Sequence, residues 1–107
     1  MDNIIIQSLG FKAGEALESY IREKMDKLTP NDFIVGANVV LFLGADRNTP
    51  DTFCEIRLEI PGNDLFVKES ANDDFYLAVD QAVNKLQGML RKTKEKLVDS
   101  RHGRTNS

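Results

Sequence analysis

The sequence predicts one α+β domain of element order β-α-β-β-β-α: a four-stranded sheet with two helices on one face. Three observations carry this. Two segments with helical apolar spacing flank the chain's middle, one near each end. Between them lie β-branched and aromatic runs, one continuous and one cleanly alternating. The chain has 107 residues with 41% hydrophobic and 29% charged, the composition of a single globular domain with one modest core.

The elements follow in order. Asn3 to Leu9 (NIIIQSL) is short and β-branched and ends at Gly10, which predicts a first strand. A helix is expected from about Ala13 to Leu28, where Leu17, Ile21, Met25 and Leu28 form one apolar stripe. Tyr20, Lys24 and Lys27 fall along one edge of that stripe. Thr29-Pro30-Asn31 should stop it, because the residue before proline is pushed out of the helical region.

Phe33 to Leu43 is the most hydrophobic stretch, and its run Val39 to Leu43 is too continuous for a one-faced edge strand. A polar connection over 45–51 leads to an alternating segment. There Cys54, Ile56, Leu58 and Ile60 point one way and Phe53, Glu55, Arg57 and Glu59 the other. Cys54, the one cysteine, is thereby a core hydrophobe rather than a nucleophile, and a single thiol excludes an internal disulfide framework and suits a reducing cytosol. Pro61-Gly62-Asn63-Asp64 is a hairpin turn signal, and Leu65 to Ser70 supplies the returning strand.

The last helix is expected over Asn72–Leu97, capped by Asn72, Asp73 or Asp74. Taking 100° per residue, Phe75, Ala82, Val83, Leu86, Leu90 and Leu97 lie within about 60° of Val79, forming a sheet-facing stripe. Lys85, Lys92 and Lys96 gather near one edge; Arg91 and Lys94 lie on the other side. Asp80 reads as an exposed partner for Asn84 or a nearby base, and Tyr76 as core-edge packing in preference to a stacking platform. Residues 1–98 form the domain, and 99–107 (DSRHGRTNS), without apolar content, are expected to be a disordered tail.

Charge is divided along the chain. Residues 1–84 hold seven basic and fifteen acidic side chains, a balance of −8, while 85–107 hold seven and two, a balance of +5. A local positive field can attract a polyanion although the whole chain carries −3. The same Lys-rich run also complements the helix macrodipole, and by itself does not separate the two readings. Lysines flanking two neighbouring helices would neutralise phosphates without reading bases, which gives shape-led, salt-sensitive binding. At the level of fold alone, the arrangement resembles a double-stranded RNA-binding domain.

An enzyme is not indicated. The one histidine, His102, sits in the tail segment, so no histidine triad or multi-histidine metal site can form, and the glycines are dispersed rather than gathered in a phosphate loop. No cofactor, membrane span or small-molecule substrate is expected.

A more specific resemblance rests on ordered motifs. Leu58-Glu59-Ile60-Pro61-Gly62-Asn63-Asp64-Leu65 is followed by Asp74-Phe75-Tyr76-Leu77-Ala78-Val79-Asp80, then Lys85-Leu86, then Arg91-Lys92-Thr93-Lys94-Glu95-Lys96. Glu15-Ala16-Leu17 and Lys24-Met25-Asp26-Lys27-Leu28 fit in the first helix. Over residues 3–98 this resembles the ribosome hibernation-promoting factor and protein Y family, in its short form without the second, dimerising domain of longer members. The resemblance implies a cytoplasmic inhibitor of translation, active in stress and stationary phase, that binds small-subunit ribosomal RNA near the mRNA and tRNA sites. Other hibernation factors would be needed to pair ribosomes. It implies RNA-facing roles for Lys24, Lys27, Lys85, Arg91, Lys92, Lys94 and Lys96. The competing reading is a protein-interaction module that docks its basic helix on an acidic protein.

Overall fold

The computed structural model describes residues 3–29, 32, 34–45, 48 and 50–106, with side chains described as far as Glu95. The elements are β1 (Ile4–Leu9), α1 (Glu15–Asp26), β2 (Gly36–Leu43), β3 (Asp51–Glu59), β4 (Leu65–Asn72) and α2 (Phe75–Asn106). They form one mixed sheet of order β1-β2-β3-β4 and two helices, the expected α+β fold.

Topology follows from connection length. Strands β2, β3 and β4 are joined directly and pair antiparallel, whereas β1 pairs parallel with β2, which requires the crossover that α1 supplies. In the β3–β4 turn, Gly62 takes φ +96°, a conformation that L side chains rarely adopt. β2 is a central strand, yet its burial alternates. Val39 and Leu41 are fully buried under the helices while Val40 and Phe42 are partly covered on the opposite face. The continuous apolar run therefore serves both faces of the sheet.

The core lies between sheet and helices. From α1 it takes Leu17, Ile21 and Met25, followed by Leu28 just beyond the helix. From the sheet it takes Ile4, Ala37, Val39, Leu41, Cys54, Ile56, Leu58 and Val67. α2 contributes Ala78, Val79, Ala82, Val83, Leu86 and Leu90. Thr52, the buried polar residue of the described core, donates its hydroxyl to the Ala71 carbonyl at 2.8 Å, so it is satisfied. The Cys54 thiol is pushed up to about 12 by burial and by the neighbouring Glu55 charge.

Boundaries shift where caps decide them. α1 begins after Gly14, which caps without a side chain, and ends at Asp26; Lys27 and Leu28 then bond back to the Lys24 and Met25 carbonyls in a tighter turn. The expected stop at Pro30-Asn31 and strand start at Phe33 lie outside the described residues, as do Asp46, Arg47 and Thr49 of the connection. β4 continues two residues past Ser70, because Asn72 pairs with Asp51. The helical backbone of α2 runs to Asn106. The side chains of Lys96, Leu97 and His102 lie outside the described residues.

Candidate nucleic-acid interface

α2 starts where Asp73, at φ 52°, breaks out of β4. Asp74 is the cap: its carboxylate oxygen accepts the Leu77 amide at 3.2 Å, and its carbonyl accepts the first helical bond from Ala78. With the cap set and the apolar stripe seated on β3 and β4, the rotation of every later side chain is fixed.

One flank of α2 meets α1. The Tyr20 hydroxyl donates to Asp80 Oδ1 at 2.5 Å, and Lys24 Nζ lies 3.8 Å from the same oxygen. Lys24 also sits 5.4 Å over the Tyr20 ring, whose other neighbour is Tyr76, edge-on at 4.9 Å. The bond to Asp80, then burial and the Asp80, Asp74 and Glu23 charges, push the Tyr20 phenol up to about 12, so it remains a donor. Two turns on, Gln87 holds the end of α1 from both sides, accepting the Thr29 amide at 3.0 Å and donating to the Thr29 carbonyl at 2.5 Å. Of the two partners expected for Asp80, the nearby base is the one found, Lys24 of α1, joined by the Tyr20 hydroxyl; Asn84 of its own helix is not among the partners described.

The opposite flank meets β4. There Gln81 donates to the Ser70 carbonyl at 2.7 Å and Lys85 Nζ pairs with Glu69 at 3.5 Å. At 100° per residue, Arg91 shares the phase of Asp80, and Lys94 that of Gln87, both toward α1; Lys92 shares the phase of Lys85, toward β4. The sequence-named cations thus divide between two flanks. Lys24 goes with Arg91 and Lys94, while Lys85 goes with Lys92. Lys27 sits beyond the last turn of α1 and pairs with Glu23 at 3.8 Å.

Pairing separates the same residues differently. Lys24, Lys27 and Lys85 each have an internal carboxylate within 4 Å. Arg91, Lys92 and Lys94 are exposed and have no ion pair among the described residues. They follow Leu90, the last buried side chain described on α2. The sequence marks seven cations but does not show that three of them, Lys24, Lys27 and Lys85, are already engaged.

The helix-free face of the sheet is a second exposed surface. Phe42 and Phe53 stack there at 4.9 Å, with Lys68 Nζ 5.5 and 5.2 Å from their centroids, and Arg57 lies 5.9 Å over Phe66. Lys68 also pairs with Glu55 at 3.9 Å. Two cations thus stand against Asp51, Glu55 and Glu59 of β3 on this face, which gives it no positive excess for a polyanion. The period-two pattern of β3 had already marked it as separate from the core. Among the described residues no cluster of three His, Cys, Asp or Glu could hold a metal, and no helix is long and apolar enough to cross a membrane.

Comparison with known proteins places these surfaces in context. Residues 4–98 match the family model for sigma 54 modulation protein / S30EA ribosomal protein. Among solved structures, a ribosomal subunit interface protein from Coxiella burnetii superposes with a TM-score of 0.78 at 21% identity, covering 87% of this chain and 98% of that one. The N-terminal domain of Thermus thermophilus Protein Y gives a TM-score of 0.72 at 26% identity, covering 85% and 98%.

Proposed function

The chain belongs to the sigma 54 modulation protein / S30EA ribosomal protein family, and from that premise we propose that it is a ribosome-associated hibernation factor. It docks on small-subunit ribosomal RNA, near the mRNA and tRNA sites, through cations of both helices, and works in the cytoplasm as a non-enzymatic inhibitor of translation. Two solved relatives, one a ribosomal subunit interface protein and the other a Protein Y domain, support this reading.

The observation that carries the RNA contact is the group Arg91, Lys92 and Lys94, on the part of α2 beyond Leu90, which has no ion pair among the described residues. Cations without an internal partner release counterions fully when they meet phosphate, so they supply the salt-sensitive part of affinity. Lys24, Lys27 and Lys85 must first leave a carboxylate and contribute less, and Lys96 extends the same run.

Co-sedimentation with purified small subunits over a range of salt tests the proposal. Binding should weaken steeply with salt. Arg91→Gln with Lys92→Gln and Lys94→Gln should make the salt slope shallower by about 2–3 if each cation meets one phosphate. Lys24→Gln with Lys27→Gln and Lys85→Gln should change it less. A triple Arg91/Lys92/Lys94 variant that sediments like the parent would refute this site. Binding that survives digestion of the RNA would point instead to docking on an acidic protein, whereas binding indifferent to salt would refute both readings of the basic helix.

A further inference from the structure

The seam between the helices holds a negative charge inside the surface assigned to RNA. Asp80 is anchored by the Tyr20 hydroxyl at 2.5 Å, and Tyr20 is in turn braced edge-on by Tyr76 at 4.9 Å. Lys24 reaches the same carboxylate oxygen at 3.8 Å, with both side chains 37% exposed. The other two internal pairs are built differently. Lys27–Glu23 joins neighbouring turns of one chain segment, with both side chains about 70% exposed. Lys85–Glu69 links α2 to β4, and among the described residues Lys85 is the one partner of the Glu69 carboxylate. Among the described residues, Asp80 alone of the three acids is held by a hydrogen bond from a second, packed side chain.

We propose that Asp80 is a specificity-determining residue of the helical surface: it keeps Lys24 in an internal ion pair that an arriving phosphate must displace. This rests on the functional reading above and names a selection rule for that same surface. A carboxylate oxygen at the lysine ammonium occupies the place of a phosphate oxygen, so an isolated or mobile phosphate gains little by exchanging with it. The exchange becomes favourable when other phosphates of one rigid RNA are already held by Arg91 and Lys94, the α1-side cations of α2. Folded RNA with a matching phosphate array is then preferred over flexible single strands. Selectivity arises from an internal competitor that penalises the wrong partner.

The test uses two RNAs, purified small ribosomal subunits and the homopolymer poly(U). Asp80→Asn keeps an oxygen that can accept the Tyr20 hydroxyl and removes the charge beside Lys24. It should bind poly(U) several-fold tighter, with a salt slope steeper by about 0.7, one further single-strand phosphate. Binding to subunits should rise less, so the selectivity ratio falls. Adding Lys24→Gln to Asp80→Asn should return the poly(U) slope to that of the parent. Asp64→Asn in the β3–β4 turn changes net charge equally, away from the helices, and should leave the slope as in the parent.

Three results would overturn the proposal: an unchanged poly(U) slope in Asp80→Asn, an equal gain in Asp64→Asn, or weaker binding of both RNAs by a folded Asp80→Asn. The last would make Asp80 a support for Lys24 instead of its competitor. Should Asp80→Asn not fold, Lys24→Gln alone decides. A lysine already neutralised adds little to poly(U) binding, so a slope shallower by about 0.7 overturns the proposal and an unchanged slope supports it. If the parent fails to sediment with subunits, the ribosomal reading falls, while the poly(U) comparison still judges Asp80.

Discussion

Tyr20 and Asp80 stand sixty residues apart in the chain and share a hydrogen bond of 2.5 Å across the helix seam. Three strands of sequence separate the two helices, so this bond reports that α1 and α2 are seated in register. It also sets the charge of the seam, because the carboxylate that receives the phenol holds Lys24 as well.

The same bond makes a prediction at high pH. The Tyr20 phenol is raised from 10.0 to about 12, because only its protonated form can donate to Asp80. A folded-state pKa above the unfolded value contributes stability that is complete below pH 10 and lost as pH rises through about 12. Thermal midpoints measured across that window should fall more in the parent than in Tyr20→Phe. Cys54 is raised by burial in both proteins, so the difference isolates Tyr20.

Gln87 should act as a clasp on the end of α1. Gln87→Ala removes both bonds to the Thr29 backbone and should cost about 1–2 kcal/mol in denaturant unfolding, somewhat less for exposed groups. Hydrogen exchange should accelerate at the Thr29 amide and spread little into the sheet. Exchange that is unchanged there would show that packing of Leu28, not the clasp, holds this end.

Asp74 fixes where α2 begins. Replacement by Ala leaves the Leu77 amide without its acceptor and should destabilise by about 1 kcal/mol. Asn in the same position should recover most of that loss, since the cap requires an oxygen and not a charge. Equilibrium unfolding of the two variants decides this.

Leu86 is fully buried and belongs to the stripe that seats α2 on the sheet. Leu86→Ala should cost about 2–5 kcal/mol through lost burial and the cavity left behind. Lys92→Gln, at the exposed start of the run after Leu90, should move stability by under about 0.5 kcal/mol. Chemical denaturation separates them clearly if the stripe is assigned correctly.

Cys54 should be inert in the folded protein. Its side chain is fully buried in β3 and its thiol is pushed up to about 12, so little thiolate exists at neutral pH and none is reachable. A thiol reagent should label it only in denaturant, at a rate that follows unfolding. Rapid labelling in native buffer would place Cys54 outside the core.

Much of this was legible because periodicity records which face is dry. The stripe Leu17, Ile21, Met25 and Leu28 is buried as spaced, and so is Val79, Ala82, Val83, Leu86 and Leu90. Alternation in β3 gave Cys54, Ile56 and Leu58 to the core and left Glu55 and Arg57 on the open face. Ala78 was missed: it lies outside the stripe taken from Val79, and it is buried all the same. A small side chain carries little hydrophobic signal of its own. The continuous run of β2 announced a strand apolar on both faces, but not that only Val39 and Leu41 would be fully covered while Val40 and Phe42 face the helix-free side.

The chain by itself determined which residues are basic, which helices carry them and which faces are apolar, because these depend on residue type and on fixed helical and strand periods. Only the tertiary structure decided which of those cations are free. Glu69 reaches Lys85 from a neighbouring strand, and Asp80 reaches Lys24 and Tyr20 from the other helix. Those pairings depend on how two helices are rotated and spaced on one sheet. That rotation is set by the Asp74 cap, the seated apolar stripe and the Gln87 clasp acting together, through contacts that lie 58 residues apart in sequence at the clasp and 60 at the seam.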